Sequence, residues 1–566
     1  MKADLLFVNG SVFNVYFKRF LPQCLAVKDR RILYCGPFEE GLFTADETID
    51  AAGRYIIPGL IDSHMHIQSS MMVPETFSDA VLPHGVTTVI SEPHEIANVF
   101  GMAGIDASLA AAGRCALDIF LAMPSSVPST SSALETTGGE IGVPEIAEMM
   151  QNPRTICLGE VMNVHDVIDK PYCKVNQIID YVRGHAPLMP LEGHCPRITG
   201  LPLAIFLGRG VTSDHTEQTM EGMRQRIAGG MFIQLQKKSL HPDLLAFIDT
   251  NRLEDRMALV TDDTMPDTLL MEGHLDQIVR LAISMGFPPE KAIYCATYSP
   301  AQRMRLFDRG ALDPGKWADL VLLDDLRSFH ICGVYKKGKA LTRESHPSAS
   351  YPAAFYESVH VPTQKPSDFE MAAPFEEGTI TCRAALVQEH STMTLPSEVT
   401  LPVHEGRVAW EDSPYALAAV VERHGKGGGR GFLLVGGNVL RSGAAASTYA
   451  HDHHNLLILG QNAKDMARAA NEVIAMGGGM AAVQDEKLLG AIRLPVAGIL
   501  SEAPIEELGQ EAASFKKALV TLGYKQDNPI MSMTTLGLPV SPALKVTDKG
   551  IINVKRQEIV PFFVNQ

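Results

Sequence analysis

Two histidines one residue apart, His64 and His66, follow an apolar run from Tyr55 to Ile61. In a strand, alternate side chains share a face, so both rings can present a nitrogen to one point, which is metal-ligand geometry. Alone, His-x-His also suits a polar strand edge. Residues of the same chemistry follow later apolar runs: Glu92-Pro93-His94-Glu95, Glu160, His194, His215 and Asp262-Asp263. Imidazoles and carboxylates of this kind hold pairs of divalent cations. For any one of them a structural role weighs as much; six in the same topological position point to a site.

The elements that must carry them alternate between strand-like and helical patterns from 58 to about 307, the signature of βα units around a parallel sheet. Eight strands are expected: 55–61, 86–90, 116–121, 155–158, 188–191, 210–212, 231–235 and 256–260. Helices are expected over 217–228, with Met220, Met223 and Ile227 on one face, and over 267–285, with Leu270, His274, Ile278 and Leu281 on one stripe. The fold class is therefore α/β, with a (β/α)8 TIM barrel over 58–307 whose chemistry sits at the strand C-termini. Between the third and fourth strands, Pro124 to Gly142 is rich in Ser, Thr and Gly, and reads as a substrate-covering loop or a mobile connection.

Residues 1–57 and 308–345 alternate short apolar runs with turns and read as one small flanking β-sandwich built from both sides of the barrel. Residues 346–377, with Pro347, Pro352, Pro362, Pro366 and Pro374, read as a linker, and 378–566 as a C-terminal α/β domain. In that domain an apolar strand, Leu456 to Leu459, precedes a helix capped by Asn462 with Met466, Ala469, Ala470 and Val473 facing inward. Just before it stands His451-Asp452-His453-His454-Asn455, which could bind a further metal, close over the barrel mouth, or simply form a polar turn. His84, His241 and His274 read as structural.

The net charge of −16, from 65 acidic and 49 basic residues without a dense basic run, disfavours nucleic acid and anionic membranes as partners. Nine scattered cysteines with no C-x-x-C pair suit a reducing cytoplasm. The N-terminal apolar run is too short for a signal peptide, and no 18 consecutive residues are apolar.

Pro58 to His66, with Ala318-Asp319-Leu320-Val321, resembles the amidohydrolase superfamily. Ser69-Ser70-Met71-Met72, Gly85 to Val89, Pro93 to Ile96, Glu192 to Pro196, Thr261-Asp262-Asp263, Glu272-Gly273-His274 and His451-Asp452-x-His454-Asn455 are similar to the bacterial adenine deaminases over nearly the whole chain. The resemblance implies a binuclear centre: His64, His66 and Asp262 on one ion, His194 and His215 on the other, and Glu160 bridging. Mn2+ or Fe2+ is expected, and Zn2+ would also be accepted. It implies deamination of adenine to hypoxanthine and ammonia, with Asp262 moving the proton and Glu160 in the catalytic set, in purine salvage.

Gln68 stands where the family has Glu, Glu92 where it has Asp, and Leu235-Gln236-Lys237-Lys238 where it has Arg-Glu-Gly-Ser. An amide cannot shuttle a proton at neutral pH. Gln68, Ser69, Glu92, His94, Gln236, Asp452 and His454 are the substrate or auxiliary candidates, with Glu92 and His94 open to substrate contact or an auxiliary metal. Two further readings stand beside the deaminase: an amidohydrolase acting on another small cyclic amide or amine, and a non-catalytic binding relative. A small-molecule substrate and a homo-oligomer are expected, with no membrane partner.

Overall fold

The computed structural model describes residues 1–342 and 350–564. Eight parallel strands position the polar residues. β1 (Leu60–Met65), β2 (Val86–Ser91), β3 (Asp118–Met123), β4 (Thr155–Val161) and β5 (Leu191–Gly193) pair in chain order; β6 (Ser213–Asp214), β7 (Phe232–Leu235) and β8 (Met257–Leu259) form a second parallel sheet. At one seam Thr212 N–H donates to the Leu191 carbonyl at 3.2 Å. At the other, Asp262 N–H donates to His64 C=O at 3.2 Å and His66 N–H to Asp262 C=O at 3.3 Å. The strands thus curl into a TIM-barrel-like α/β fold, and the second seam sets Asp262 directly opposite the two histidines.

Burial explains the composition of these strands. Leu60, Val86, Val89, Leu158, Ile233 and Val260 are fully buried, each removal from water contributing about 1.5–3 kcal/mol.

Several boundaries differ from the sequence reading, each for a physical reason. The first run is two strands: Tyr55–Pro58 pairs with Leu320–Asp325 outside the barrel, and β1 begins after Gly59. A Cβ on Gly59 would lie 2.2 Å from Thr87 Oγ1, so only glycine lets the chain cross so close to β2. The fifth strand starts at Leu191, beyond Pro190, which has no N–H for a ladder. The sixth starts at Ser213, because Gly210 sits at φ +97°, closing the preceding helix. Met220–Ala228 begins later than expected because Thr219 caps it, its side chain accepting from Gly222 N–H at 3.1 Å. The helix expected over 267–285 breaks into Pro266–Glu272 and Leu275–Ser284 at Gly273, φ +102°.

Strands from both chain flanks, including Lys2–Asn14, Arg19–Lys28, Tyr55–Pro58, Leu320–Asp325 and His330–Lys336, join one eight-stranded sheet. Asp118 of β3 anchors it to the barrel, receiving Lys336 Nζ at 2.8 Å, Lys337 Nζ at 2.8 Å and Arg309 at 2.9 Å.

Residues 343–349, which include Pro347 of the expected linker, lie outside the described residues. After them, Phe355 stacks on Phe100 of the barrel at 4.2 Å. The C-terminal part is built on a nine-stranded sheet and a three-stranded one. Its helix Ala463–Ala475 is capped by Asn462, which accepts from Asp465 N–H at 2.8 Å, and buries Met466, Ala469, Ala470 and Val473.

The loop 124–142 is not a loose connection. Thr136 donates its hydroxyl to Asp548 at 2.6 Å and Thr547 donates to Leu134 C=O at 2.6 Å, so the C-terminal part holds it. Among the described residues no helix is long and apolar enough to cross a membrane, and all nine cysteines are free.

Candidate metal centre

The ends of β1, β4, β5, β6 and β8 converge on one buried point. His64 lies within β1 and His66 just past it, with ring centroids 5.2 Å apart. His194 and His215 immediately follow β5 and β6, Glu160 lies near the end of β4, and Asp262 follows β8.

Glu160 stands between two groups of histidines. Its Oε2 is 3.0 Å from His194 Nδ1 and 3.1 Å from His215 Nε2, while its Oε1 is 3.6 Å from His66 Nε2. Asp262 Oδ1 is 3.5 Å from both His64 Nε2 and His66 Nε2. Donor atoms of His64, His66 and Glu160, of His64, His215 and Asp262, and of Glu160, His194 and His215 each fall within 4.8 Å of one another.

Three observations fit this donor set to metal. Gaps of 3.5–3.6 Å are too long for hydrogen bonds, yet close to the roughly 3–3.5 Å between two donors that share one ion with bonds near 2.1 Å. His64 Nε2 is buried with no hydrogen-bond partner. His66 Nδ1 faces the Glu92 carbonyl at 3.2 Å, which fixes the ring and leaves Nε2 for the centre.

The electrostatics agree. Burial would raise both carboxyls, but the histidines beside them hold Glu160 and Asp262 well below the usual range. Burial, reinforced by His215, lowers His64 to about 4, keeping its ring neutral and able to ligate. Burial opposes charge on His66 and His215 too, but Asp262 and Glu160 outweigh it and raise them to about 10 and about 9. The centre attracts positive charge.

The remaining sequence candidates fall around this core. Glu92 Oε2 accepts from Glu160 N–H at 2.5 Å, and Glu92 Oε1 faces His94 Nδ1 at 3.6 Å. Gln236 donates its amide to the His215 carbonyl at 3.0 Å, so it steadies a histidine strand and is not a free group at the pocket. Gln68 is buried in the turn Ile67–Ser70 with Oε1 unpartnered. Ser69 donates to Asp263 at 2.5 Å, which makes Asp263 a brace. Asp452 and His454 come from the C-terminal part, and His454 Nε2 pairs with Glu95 of the barrel. The cluster 451–455 therefore packs on the barrel mouth. His194, whose side chain is 37% exposed, marks the open rim.

Sequence reasoning missed the layer beneath Asp262. Thr261 donates to Asp62 at 2.6 Å, and Asp62, fully buried, is raised by that burial to about 7. The signal was available: in a closed barrel the first and eighth strands are neighbours, so Asp62-Ser63-His64 must face Thr261-Asp262. The pairing of Glu95 with His451 and His454 was missed as well, because it depends on how the C-terminal part docks.

The chain is similar in sequence to known proteins over its whole length. The amidohydrolase family model matches residues 55–171 and 195–341, and the adenine deaminase C-terminal domain model matches 391–558. The chain is 46% identical over 573 residues to adenine deaminase 2 of Shouchella clausii, covering 100% of both chains. It is 44% identical over 572 residues to the adenine deaminase of Clostridium perfringens (strain ATCC 13124), again covering 100% of both. With the adenine deaminase of Moorella thermoacetica the identity is 36% over 573 residues, covering 99% of this chain and 96% of that one.

Proposed function

The chain belongs to the adenine deaminase family of the amidohydrolases, and from that premise we propose that it hydrolyses adenine to hypoxanthine and ammonia. The observation that carries the reading is Glu160 set between two groups of histidines, in a chain alike to curated adenine deaminases from end to end. Gln236 does not argue for another substrate, because its amide is spent on the His215 backbone.

In this reading His64, His66, Glu160, His194, His215 and Asp262 would hold two divalent cations, with His64, His66 and Asp262 serving one, His194 and His215 the other, and the Glu160 carboxylate shared between them. Imidazole and carboxylate donors suit Mn2+ or Fe2+, and Zn2+ as well. Bound there, the cations supply a hydroxide nucleophile at neutral pH by lowering the pKa of water from about 15.7 toward neutrality. Asp262, held ionised, would take one proton of the attacking water as its oxygen bonds to C6 and pass it to ring N1; the remaining hydroxyl proton would go to the amino group, so that the C6–N bond breaks with loss of ammonia and the C6 carbonyl forms. Thr261 and Asp62 brace its backbone for that exchange. A cytoplasmic homo-oligomer working in purine salvage completes the proposal.

A panel of adenine, other 6-substituted purines and cyclic amides, offered to Mn2+-loaded protein, tests it. Equimolar hypoxanthine and ammonia from adenine are expected; turnover of a cyclic amide with adenine untouched would overturn it.

A further inference from the structure

Next to the centre lies a second convergence of ligand-type atoms, and half of it comes from the C-terminal part. His94, at the start of the helix His94–Ala112, is buried between four carboxylates. Its Nδ1 faces Glu92 Oε1 at 3.6 Å and Glu160 Oε1 at 3.8 Å; its Nε2 faces Glu95 Oε1 at 3.5 Å and Asp452 Oδ1 at 3.9 Å. None of these is a hydrogen bond by distance. On the Nε2 side His451 joins, its Nδ1 2.8 Å from Glu95 Oε1 and 3.6 Å from Asp452 Oδ1.

We propose that His94 Nε2, Glu95 Oε1, His451 Nδ1 and Asp452 Oδ1 form an additional site for a divalent first-row cation, clamping the C-terminal part onto the barrel mouth.

Two independent observations carry it. The spacing repeats that of the principal centre, where donors of the same kinds stand 3.5–3.6 Å apart without hydrogen-bonding. And all four side chains are deeply buried, His94, Glu95, His451 and Asp452 each being 5% exposed or less, where uncompensated charge is costly. Only His451 and Glu95 approach to hydrogen-bond distance, at 2.8 Å; the other separations, 3.5–3.9 Å, are wider than an ion-pair latch of the kind His454 makes with the other oxygen of Glu95. Two neutral imidazoles and two carboxylates would instead match the charge of one divalent ion and coordinate it.

The site is independent of which amine the enzyme hydrolyses, so its test uses no substrate. Full-length protein stripped of metal and brought to equilibrium dialysis with Mn2+ is expected to hold one more equivalent per chain than Asp452→Asn or His451→Gln under the same conditions. Equal stoichiometry in wild type and both variants would overturn the proposal. If the variants do not fold, anomalous diffraction at the manganese edge from wild-type crystals decides: a peak between His94 and Asp452 supports the site, and a map without one overturns it.

Discussion

Glu92 accepts the backbone N–H of Glu160 at 2.5 Å, so one carboxylate positions another. The approach depends on Gly159, where a Cβ would lie 2.3 Å from Glu92 Oε2. Partners that orient a ligand typically contribute 10–100-fold to metal affinity. Gly159→Ala and Glu92→Ala are both expected to lower Mn2+ affinity by about that factor, measured by chelator competition, with far-UV circular dichroism unchanged. Wild-type affinity in either variant would remove this role from Glu92.

Gln236 acts on the opposite side, through the His215 carbonyl. Gln236→Glu would place a carboxylate against that carbonyl oxygen, two acceptors with no proton between them. The expected result is a drop in metal affinity, while Gln236→Ala, which only loosens the strand, should fall less. The same chelator titration ranks the two.

Asp118 ties the barrel to the flanking sheet. Burial raises its carboxyl, but Lys336 and Arg309 outweigh that and hold it far below the usual carboxylate range. With the folded value depressed, its contribution is complete above the unfolded carboxylate pKa of about 4 and fades as pH falls further toward the folded value. Asp118→Asn should cost about 1.5–3 kcal/mol at pH 7, the usual worth of a hydrogen bond to a charged group, because Lys336 keeps Asp319 at 2.7 Å and Arg309 keeps Asp308 at 2.9 Å. The difference in melting temperature between variant and wild type should narrow as pH is lowered below about 4.

Lys545 presents the opposite case. It is fully buried in the strand Leu544–Thr547, donates to Thr392 C=O at 2.9 Å, and is lowered by burial to about 7. Between that value and its unfolded one near 10.4 the unfolded chain binds more protons, so stability rises with pH across this window. Lys545→Met should therefore be neutral or stabilising at pH 7, by up to about 3 kcal/mol, and the gain should disappear near pH 10. Thermal melts at both pH values check the sign.

How much of this was legible in the sequence follows from where the residues sit. Barrel strands are buried on both faces and read as apolar runs, so eight were visible, and a barrel gathers its strand ends at one mouth. That is why His64, His66, Glu160, His194, His215 and Asp262 meet. Local backbone geometry was less legible: the break at Gly59 depends on Thr87, a neighbour on another strand, and periodicity carried the stripe of 267–285 straight through Gly273. Glu95 was visible as a carboxylate at a strand end but its pairing was not, because its partners, His451 and His454, stand more than 350 positions away. Of the two amides that set the chain apart within its resemblance, Gln236 could be assigned only once its hydrogen bond to the His215 carbonyl was known.

The most direct measurement is single-turnover conversion of adenine by Mn2+-loaded Asp262→Asn beside wild type, with metal content verified in each. The account predicts hypoxanthine and ammonia in equal amounts from wild type and a rate lowered by about 10²–10⁴ in the variant, the usual worth of a positioned proton carrier. A fully metallated wild type that leaves adenine intact, or an Asp262→Asn protein that deaminates at the wild-type rate, would contradict it.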